Sequence, residues 1–177
     1  ELYETAVQYL LPILAAVRAD QFAASTPCAG WSVQQLIVHT IKTPQRFHSF
    51  LTGGDPVDNM SVDDALFHEC TPDAYEAAFE NLRRVIRAPG FLDRLVIHPR
   101  LGEMPGSQFI MSPFIDALIH KWDLAKATNQ DTSLDSALAE VCYQYLMPEI
   151  ESRRSPQLFG PGVTLPTSGS IQDKLLA

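Results

Sequence analysis

The sequence has few cysteines and no long apolar run. The cysteines are Cys28, Cys70 and Cys142, an odd number without a CxxC pair. This usage argues against a disulfide framework and predicts a reducing, cytoplasmic setting. The most apolar run, at residues 9–17, contains Pro12 and is shorter than the roughly 20 residues that a membrane-spanning helix needs. The sequence therefore predicts a soluble protein.

Basic residues are also scarce relative to acidic ones. The chain has 13 Lys plus Arg against 21 Asp plus Glu, a net charge of −8. Nucleic acids and anionic membranes attract positively charged surfaces, so we expect neither as a partner. The partner we expect is a small-molecule substrate. The 177 residues are 46% hydrophobic and 19% charged. These values predict a single globular domain over residues 1–177.

Apolar residues at spacings of three and four predict a series of amphipathic helices. The clearest beginning is at Ser32, a predicted N-cap that forms a capping box with Gln35. Prolines interrupt two helices, so we expect kinks at Pro12 and Pro44, or a first helix that begins near Leu11. The predicted helices span residues 2–17, 33–51, 72–87, 112–128 and 134–146.

The connections carry signals of their own. Glycines and prolines predict an irregular crossover at 91–111, with a short extended piece at 95–97. Thr71 and Ser112 are each followed by a proline, which predicts an N-cap at the start of a helix, and Asn129 predicts a left-handed residue after the end of the helix that follows Ser112. Shorter features are a capped stretch at 61–64 and, after residue 153, a surface tail with a turn at 171–176. Long helices with one long crossover indicate an all-α four-helix bundle.

A few polar residues lie on the apolar faces of these helices. Asp116 and His120 are one turn apart on one face, and His39 lies on the same side of its helix as Leu36. Two imidazoles and a carboxylate suit zinc, ferrous iron, nickel or manganese and leave positions open for water or substrate. A plain hydrogen bond between Asp and His remains the alternative. Asp123, three residues past His120, is a candidate acceptor for a ligand imidazole.

The other histidines and Cys28 are expected to lie outside this group. His48 is nine residues after His39, half a turn out of phase, which predicts a surface position. His68 and His98 fall in loops and are expected to be exposed or to act as caps. Cys28 precedes the cap of the second helix and has no paired base. We interpret it as a small buried side chain at the end of the bundle, away from the metal.

Two motifs resemble those of a known family. The run TPCAGWSV at residues 26–33, followed by Leu36 and His39, is similar to the opening of the DinB-like superfamily, which includes mycothiol-dependent maleylpyruvate isomerase. The run HKWDLAKATNQ at 120–130 resembles the H-x-W-D-L-A-x-A-T-G-Q signature of a short actinobacterial branch of that superfamily. Residues 101–106 and the tail also resemble that branch, so the likeness extends over nearly the whole chain.

The resemblance implies a four-helix bundle with a divalent metal held by His39, Asp116 and His120. The isomerase has Glu where this chain has Asp116, and the family has Gly where this chain has Asn129. The side chain of Asp116 is one methylene shorter than that of Glu. The ligand set itself is the one the family implies.

Three hypotheses about function follow from the resemblance. The first is an enzyme of the mycothiol-dependent isomerase or thiol transferase type, or a related tailoring enzyme of secondary metabolism. Its metal, zinc in the first instance, would act as a Lewis acid on a small molecule, with mycothiol as co-substrate. The second is a non-catalytic bundle that binds a small apolar ligand. The third is a facial-triad iron oxygenase.

For the first hypothesis we expect an open site between the helices that carry His39 and His120. Apolar residues such as Leu36 and Ile119 would line it, and the 91–111 crossover would partly close it. We also expect that the acidic surface can include a homodimer interface.

Overall fold

The computed structural model describes residues 1–62, 67–68, 70–99, 101–153, 162–164 and 168–177. These residues are mostly helical, which confirms the predicted all-α class. Within the same ranges, no helix is long and apolar enough to cross a membrane. The chain divides into two compact units, Glu1–Thr132 and Ser133–Ala177. The single domain expected over residues 1–177 stays a prediction.

The first helix, α1, runs through Leu2–Ala15 without interruption. The alternative start near Leu11 is therefore wrong. Pro12 and Gln8 both lie on the exposed side of α1. Because proline has no backbone N–H, the carbonyl of Gln8 has no helical donor, but on this side it can bond water. The buried side of α1 consists of Tyr3, Ala6, Val7, Leu10, Ile13 and Leu14.

The second helix, α2, covers Val33–Thr52 and contains the buried Pro44. Ser32 Oγ accepts the backbone N–H of Gln35 at 3.3 Å, and Gln35 Oε1 accepts the backbone N–H of Ser32 at 3.0 Å. The predicted capping box is confirmed. The helix ends at Gly53, whose φ of 69° places it in the left-handed region where glycine is unstrained.

The third helix, α3, covers Pro72–Ile86. Its predicted cap is confirmed, because Thr71 Oγ1 accepts the backbone N–H of Ala74 at 3.1 Å. Tyr3 of α1 meets Phe79 of α3 edge to face, with ring centroids 5.1 Å apart. The capped stretch expected at 61–64 includes residues 63–64, which lie outside the described residues.

The long connection is more regular than predicted. Strands β1, Leu95–His98, and β2, Gly102–Pro105, pair antiparallel, and a short helix, α4, follows at Gly106–Phe109. The extended piece at 95–97 is confirmed, and the irregular crossover is wrong. In β1 exposed and buried positions alternate, but three of its four residues are aliphatic, so no polar alternation marks the strand in the sequence.

The fifth helix, α5, covers Met111–Thr128 and does not begin at a Ser112 cap. Ile110 already has helical backbone angles and accepts the N–H of Phe114 at 3.2 Å, so Ser112 lies inside the first turn. The prediction of a cap at Ser112 is therefore wrong. At the other end Asn129 has a φ of 57°, which confirms the predicted left-handed residue.

Helices α1, α2, α3 and α5 form the bundle of the first unit. In cross-section, α1 packs on α5, α5 on α2, α2 on α3, and α3 on α1. Buried aliphatic and aromatic side chains from all four helices fill the interior. Because α2 and α5 are neighbours, residues on their inward faces can meet.

Among its described residues, the second unit has three further α-helices: α6, Ser136–Leu146, α7, Ile150–Arg153, and α8, Ile171–Leu176. The helix predicted at 134–146 is confirmed with a start two residues later. The turn predicted at 171–176 is a short helix that packs on α6. Residues 154–161 and 165–167 of the expected surface tail lie outside the described residues.

Candidate metal centre

Two adjacent helices place three candidate ligands at one point in the bundle. His39 Nε2 on α2 is 3.1 Å from Asp116 Oδ1 on α5, and His120 Nε2 is 3.6 Å from the same oxygen. The possible ligand atoms of the three residues all lie within 4.8 Å of one another. The two imidazole rings meet edge to face, with centroids 5.0 Å apart. The structure thus brings together the three residues that the sequence singled out.

Each imidazole is held on its other nitrogen by an oxygen. His39 Nδ1 is 2.7 Å from the backbone oxygen of Asn59, and His120 Nδ1 is 2.8 Å from Asp123 Oδ2. A carbonyl and a carboxylate can only accept, so each Nδ1 has an acceptor for a hydrogen, and the Asp116 oxygen is the acceptor for a hydrogen on Nε2. Each Nε2 is therefore directed at Asp116. Asp123 stands where the sequence placed an acceptor, one turn beyond His120.

The group is partly open to solvent. His39 exposes only 6% of its side chain, whereas Asp116 exposes 21% and His120 exposes 15%. The ring of Trp31 lies beside that of His39, with centroids 4.8 Å apart. Solvent therefore reaches the group from the α5 side, while the α2 side is covered.

The charges within the group favour an ionised Asp116 and a protonated His120. Burial alone would raise the pKa of Asp116, but the positive charges of His120 and His39 outweigh it and lower the pKa. Burial opposes a charged His120, yet the charge of Asp116 and the hydrogen bonds with Asp123 and Cys28 raise its pKa well above the usual value. A metal ligand must give up that proton.

Cys28 contacts this group, so the prediction that Cys28 lies at the end of the bundle, away from the metal, is wrong. Cys28 Sγ donates to Asp123 Oδ2 at 3.4 Å and lies 3.9 Å from His120 Nδ1. Cys28, His120 and Asp123 form a second set of potential ligand atoms within 4.8 Å of one another. Burial raises the pKa of the Cys28 thiol, which keeps it protonated and able to donate.

The loop before α2 explains this error. The backbone N–H of Thr26 bonds the oxygen of Trp31 at 3.2 Å, and Gly30 between them has a φ of 81°. The chain therefore reverses at 26–31 and returns towards α5. Counting residues back from the Ser32 cap assumes a chain that continues along the helix axis, and so it misplaces the thiol.

Two buried tyrosines lie within reach of the charge of Asp116. Tyr3 and Tyr75 come from α1 and α3 and are 3% and 1% exposed. Burial raises the pKa of both hydroxyls, and the negative charge of Asp116 raises each further. Both tyrosine hydroxyls are therefore neutral, and of these three side chains only Asp116 is charged.

The remaining histidines lie apart from the group. His68 is exposed, as expected. His98 is buried against Phe109, and its Nδ1 accepts the backbone N–H of Leu101 at 3.2 Å. The expected loop position is wrong, because His98 is the last residue of β1, and the expected exposure is wrong as well; its bond with Leu101 lies in the β1–β2 turn. His48 is half-buried and lines a cavity of about 260 Å³ at the end of α2 that contains none of the three candidate ligands.

The expected wall residues have different positions. Leu36 is fully buried in the bundle, and Ile119 is half-buried on α5. The cavity beside His48 and a second one of about 400 Å³ between α1 and the start of α3 contain neither residue. An apolar cavity at the His39–Asp116–His120 group stays a prediction.

The sequence missed several neighbours of the group, and one of them, Thr43 on α2, is hydrogen-bonded through its hydroxyl to Asp116. Asn59, Cys28 and Trp31 come from loops, and their contacts depend on how those loops fold back onto α2 and α5. Helical spacing gives no signal for such contacts. The only hint was that Cys28 and Trp31 stand in the motif at 26–33.

Comparison with known proteins adds a family to this geometry. A family model described as "Mycothiol maleylpyruvate isomerase N-terminal domain" matches residues 3–125, which include the four bundle helices except the first residue of α1 and the last turn of α5. Two proteins of Mycobacterium tuberculosis, the uncharacterized proteins MT0763 of strain CDC 1551 / Oshkosh and Rv0738 of strain ATCC 25618 / H37Rv, are each 34% identical over 153 residues. Each match covers 85% of this chain and 76% of the relative.

Proposed function

Because the chain belongs to the mycothiol maleylpyruvate isomerase N-terminal domain family, we propose that it is a metal-dependent enzyme with its ion between His39, Asp116 and His120. The observation that carries the proposal is the convergence of two Nε2 atoms on one Asp116 oxygen, with both Nδ1 atoms already bonded elsewhere. With the hydrogens on the two Nε2 atoms displaced by an ion, two imidazole lone pairs and a carboxylate would face one point.

The donor set fits a divalent ion. Two imidazole nitrogens and one carboxylate oxygen are ligands that zinc accepts, and iron, nickel and manganese accept them too. Three protein ligands leave at least one coordination position open, which is typical of catalytic rather than structural zinc. When bound, such an ion polarises a carbonyl or lowers the pKa of a coordinated thiol or water.

The chain's own residues prepare this site. Asp123 and the Asn59 carbonyl hold the two rings in orientation, so that neither ligand has to be ordered when an ion arrives. The solvent-reached side at Asp116 and His120 is where a substrate would approach. The ring of Trp31 packs beside that of His39, whose side chain is nearly buried.

We further propose that the substrate is a small molecule and that mycothiol is the co-substrate, in a reaction of the isomerase or thiol transferase type. The family name supports the thiol, and the net charge of −8 argues against a polyanionic ligand. The metal we propose is zinc, and the compartment is the cytoplasm. A homodimer remains part of the proposal.

Elemental analysis of the protein purified without added metal is the first test. We expect one divalent ion per chain. Calorimetric titration with mycothiol should then show binding to the zinc-loaded protein and much weaker binding after chelation. Iron with oxygen-dependent turnover would instead support the oxygenase hypothesis. Protein that takes up no metal, even from excess zinc, would contradict the proposal and leave the non-catalytic bundle.

A further inference from the structure

The outward face of β1 carries exposed aliphatic side chains. Leu95 and Ile97 are 59% and 72% exposed, and they share one face because side chains alternate along a strand. Leu92 before the strand and Leu101 in the turn after it are 49% and 51% exposed. Four of the seven large hydrophobic side chains that are exposed in the described part of the chain thus lie within residues 92–101. Such a concentration of apolar surface marks an interaction site.

The outer edge of β1 is open as well. Strand β1 pairs with β2 along one edge, and among the described residues no backbone group outside the hairpin bonds residues 95–97. Natural sheets protect such edges with charged residues and prolines. Strand β2 has both, in Glu103 and Pro105, whereas residues 95–97 of β1 are all aliphatic. The edge of β1 can therefore accept another strand.

Charge favours a second copy of this chain as that partner. The chain has a net charge of −8, yet residues 91–105 contain Asp93 and Glu103 against Arg94 and Arg100 and sum to zero. The rest of the chain carries the whole net charge, so two copies repel each other least where their hairpins meet. The hairpin also gives a strongly charged partner no net charge to match. Each copy offers a neutral aliphatic strand to the other.

Two-fold symmetry and the strand pattern select one register. Side chains and outward backbone groups alternate, so residues that face the same way must lie opposite each other. With Val96 at the axis, Leu95 lies beside Ile97 of the second copy, and both aliphatic pairs are on the exposed face. An axis at Ile97 would place Leu95 opposite Pro99, which has no N–H to bond. An axis at Leu95 would place Ile97 opposite the charged Asp93.

We propose that two copies of this chain form a homodimer in which β1 pairs antiparallel with β1 of the second copy. The two hairpins then make one four-stranded sheet, and each Leu95 packs against Ile97 of the other chain. The outer strands of that sheet are the two β2 strands, whose edges Glu103 and Pro105 protect. The interface is isologous, since the same strand serves both copies. The inference names the contact of the homodimer in the proposed function and is independent of the metal site.

The first test measures the mass of the protein by sedimentation over a concentration series. Ile97→Lys places an ammonium group in the interface. Val163→Lys is the matched control, because Val163 is an aliphatic residue of the second unit with a similar exposure of 66%. We expect wild type and Val163→Lys to dimerise with the same dissociation constant. Ile97→Lys should raise that constant about 100-fold or more, because each dimer loses two buried isoleucines. Circular dichroism checks that the helices remain.

The second test reads the register by disulfide formation. Leu95→Cys and Ile97→Cys proteins are oxidised as a mixture and each alone, beside wild type, whose native cysteines give the background. Residues directly opposite in an antiparallel pair have Cβ atoms about 4.5–5.5 Å apart, whereas diagonal neighbours are about 7–8 Å apart. The mixture should therefore form linked dimers faster than either protein alone.

Three results would overturn the proposal. They are wild type that stays monomeric at every concentration, a dimer that Ile97→Lys leaves intact, and a mixture that links no faster than its separate parts. The second of these results would leave a homodimer with a different interface. A wild-type dimer that Ile97→Lys dissociates but that binds no zinc would contradict the proposed metal enzyme and leave this inference standing.

Discussion

At the residue scale, the hydrogen bond on one nitrogen of an imidazole decides what the other nitrogen can bind. Asp123 Oδ2 takes the hydrogen of His120 Nδ1 at 2.8 Å, and its side chain is only 7% exposed. A buried carboxylate in that position both orients the ring and makes its free nitrogen a better donor to a metal. The position of Asp123 therefore has a measurable consequence.

Asp123→Asn should weaken zinc binding by about 10- to 100-fold, because the neutral amide removes the charge that supports His120. Calorimetric titration measures the affinity, and circular dichroism checks that the helices remain. Asp93→Asn, at an exposed position in the α3–β1 connection, is the control and should bind like wild type. Equal affinity in Asp123→Asn and wild type would show that Asp123 does not support the ligand.

Zinc affinity should also rise with pH. The pKa of His120 is raised well above its usual value in the metal-free protein, so zinc has to displace a proton until the pH exceeds that pKa. Titrations over a pH series in buffers of different ionisation enthalpy measure the affinity and the protons released. An affinity that does not change as pH rises above neutrality would contradict a protonated His120.

The same shift predicts how the stability of the metal-free protein depends on pH. A pKa that is higher in the folded than in the unfolded chain stabilises the fold fully below the unfolded value of about 6.5. This contribution is lost as pH rises through the folded pKa. Urea unfolding across that range should therefore show a decline in wild type that is smaller in Asp116→Asn, which lacks the charge that raises the pKa.

Spacing along one helix was enough to find part of the site. Asp116, His120 and Asp123 are separated by about one turn each, so a single helix fixes their relation. Asn59 and Cys28 could not be found this way, because their positions depend on loops that reverse direction. Local periodicity carries no information on such reversals.

At the element scale, caps were the most reliable signals. Ser32, Thr71 and Asn129 act as predicted because each function depends on a few neighbouring residues. The cap predicted at Ser112 is wrong because α4 and α5 form a nearly continuous helix. The backbone N–H groups after Ser112 are bonded within that helix and need no cap. The hairpin was missed because β1 is only four residues long.

Ser32→Ala should lower the free energy of unfolding by about 1 kcal/mol, since it removes the acceptor of the Gln35 N–H. Zinc affinity should change little, because His39 lies two turns further along α2. Ser107→Ala, at an exposed serine that does not cap a helix, is the control for chemical denaturation. Equal stability of the two variants would show that the cap does not stabilise α2.

At the scale of the whole molecule, the sequence predicted a bundle but not the order of its helices. Amphipathic periodicity shows that each helix has a buried face, without showing which other helix covers it. The grouping of His39 with Asp116 and His120 was predicted from their places on apolar helix faces, and the family resemblance added to it. The structure accounts for it physically, because α2 and α5 are neighbours in the bundle.

The stability of such a bundle comes mainly from its buried apolar faces. Three polar ligands on two helices contribute little to it, so the site and the fold can be separated by mutation. A catalytic ion should be removable without unfolding, whereas a structural ion should not.

The most direct measurement is the metal content of His39→Ala and His120→Ala, taken together with their circular dichroism. His48→Ala is the matched control, because His48 lies on the same helix as His39 and lines a separate cavity. The account predicts that the two ligand variants lose zinc binding and keep nearly all of their helical signal, while His48→Ala keeps both. Zinc bound at wild-type stoichiometry by His39→Ala and His120→Ala would contradict the site, and unfolding of His120→Ala would make its ion structural.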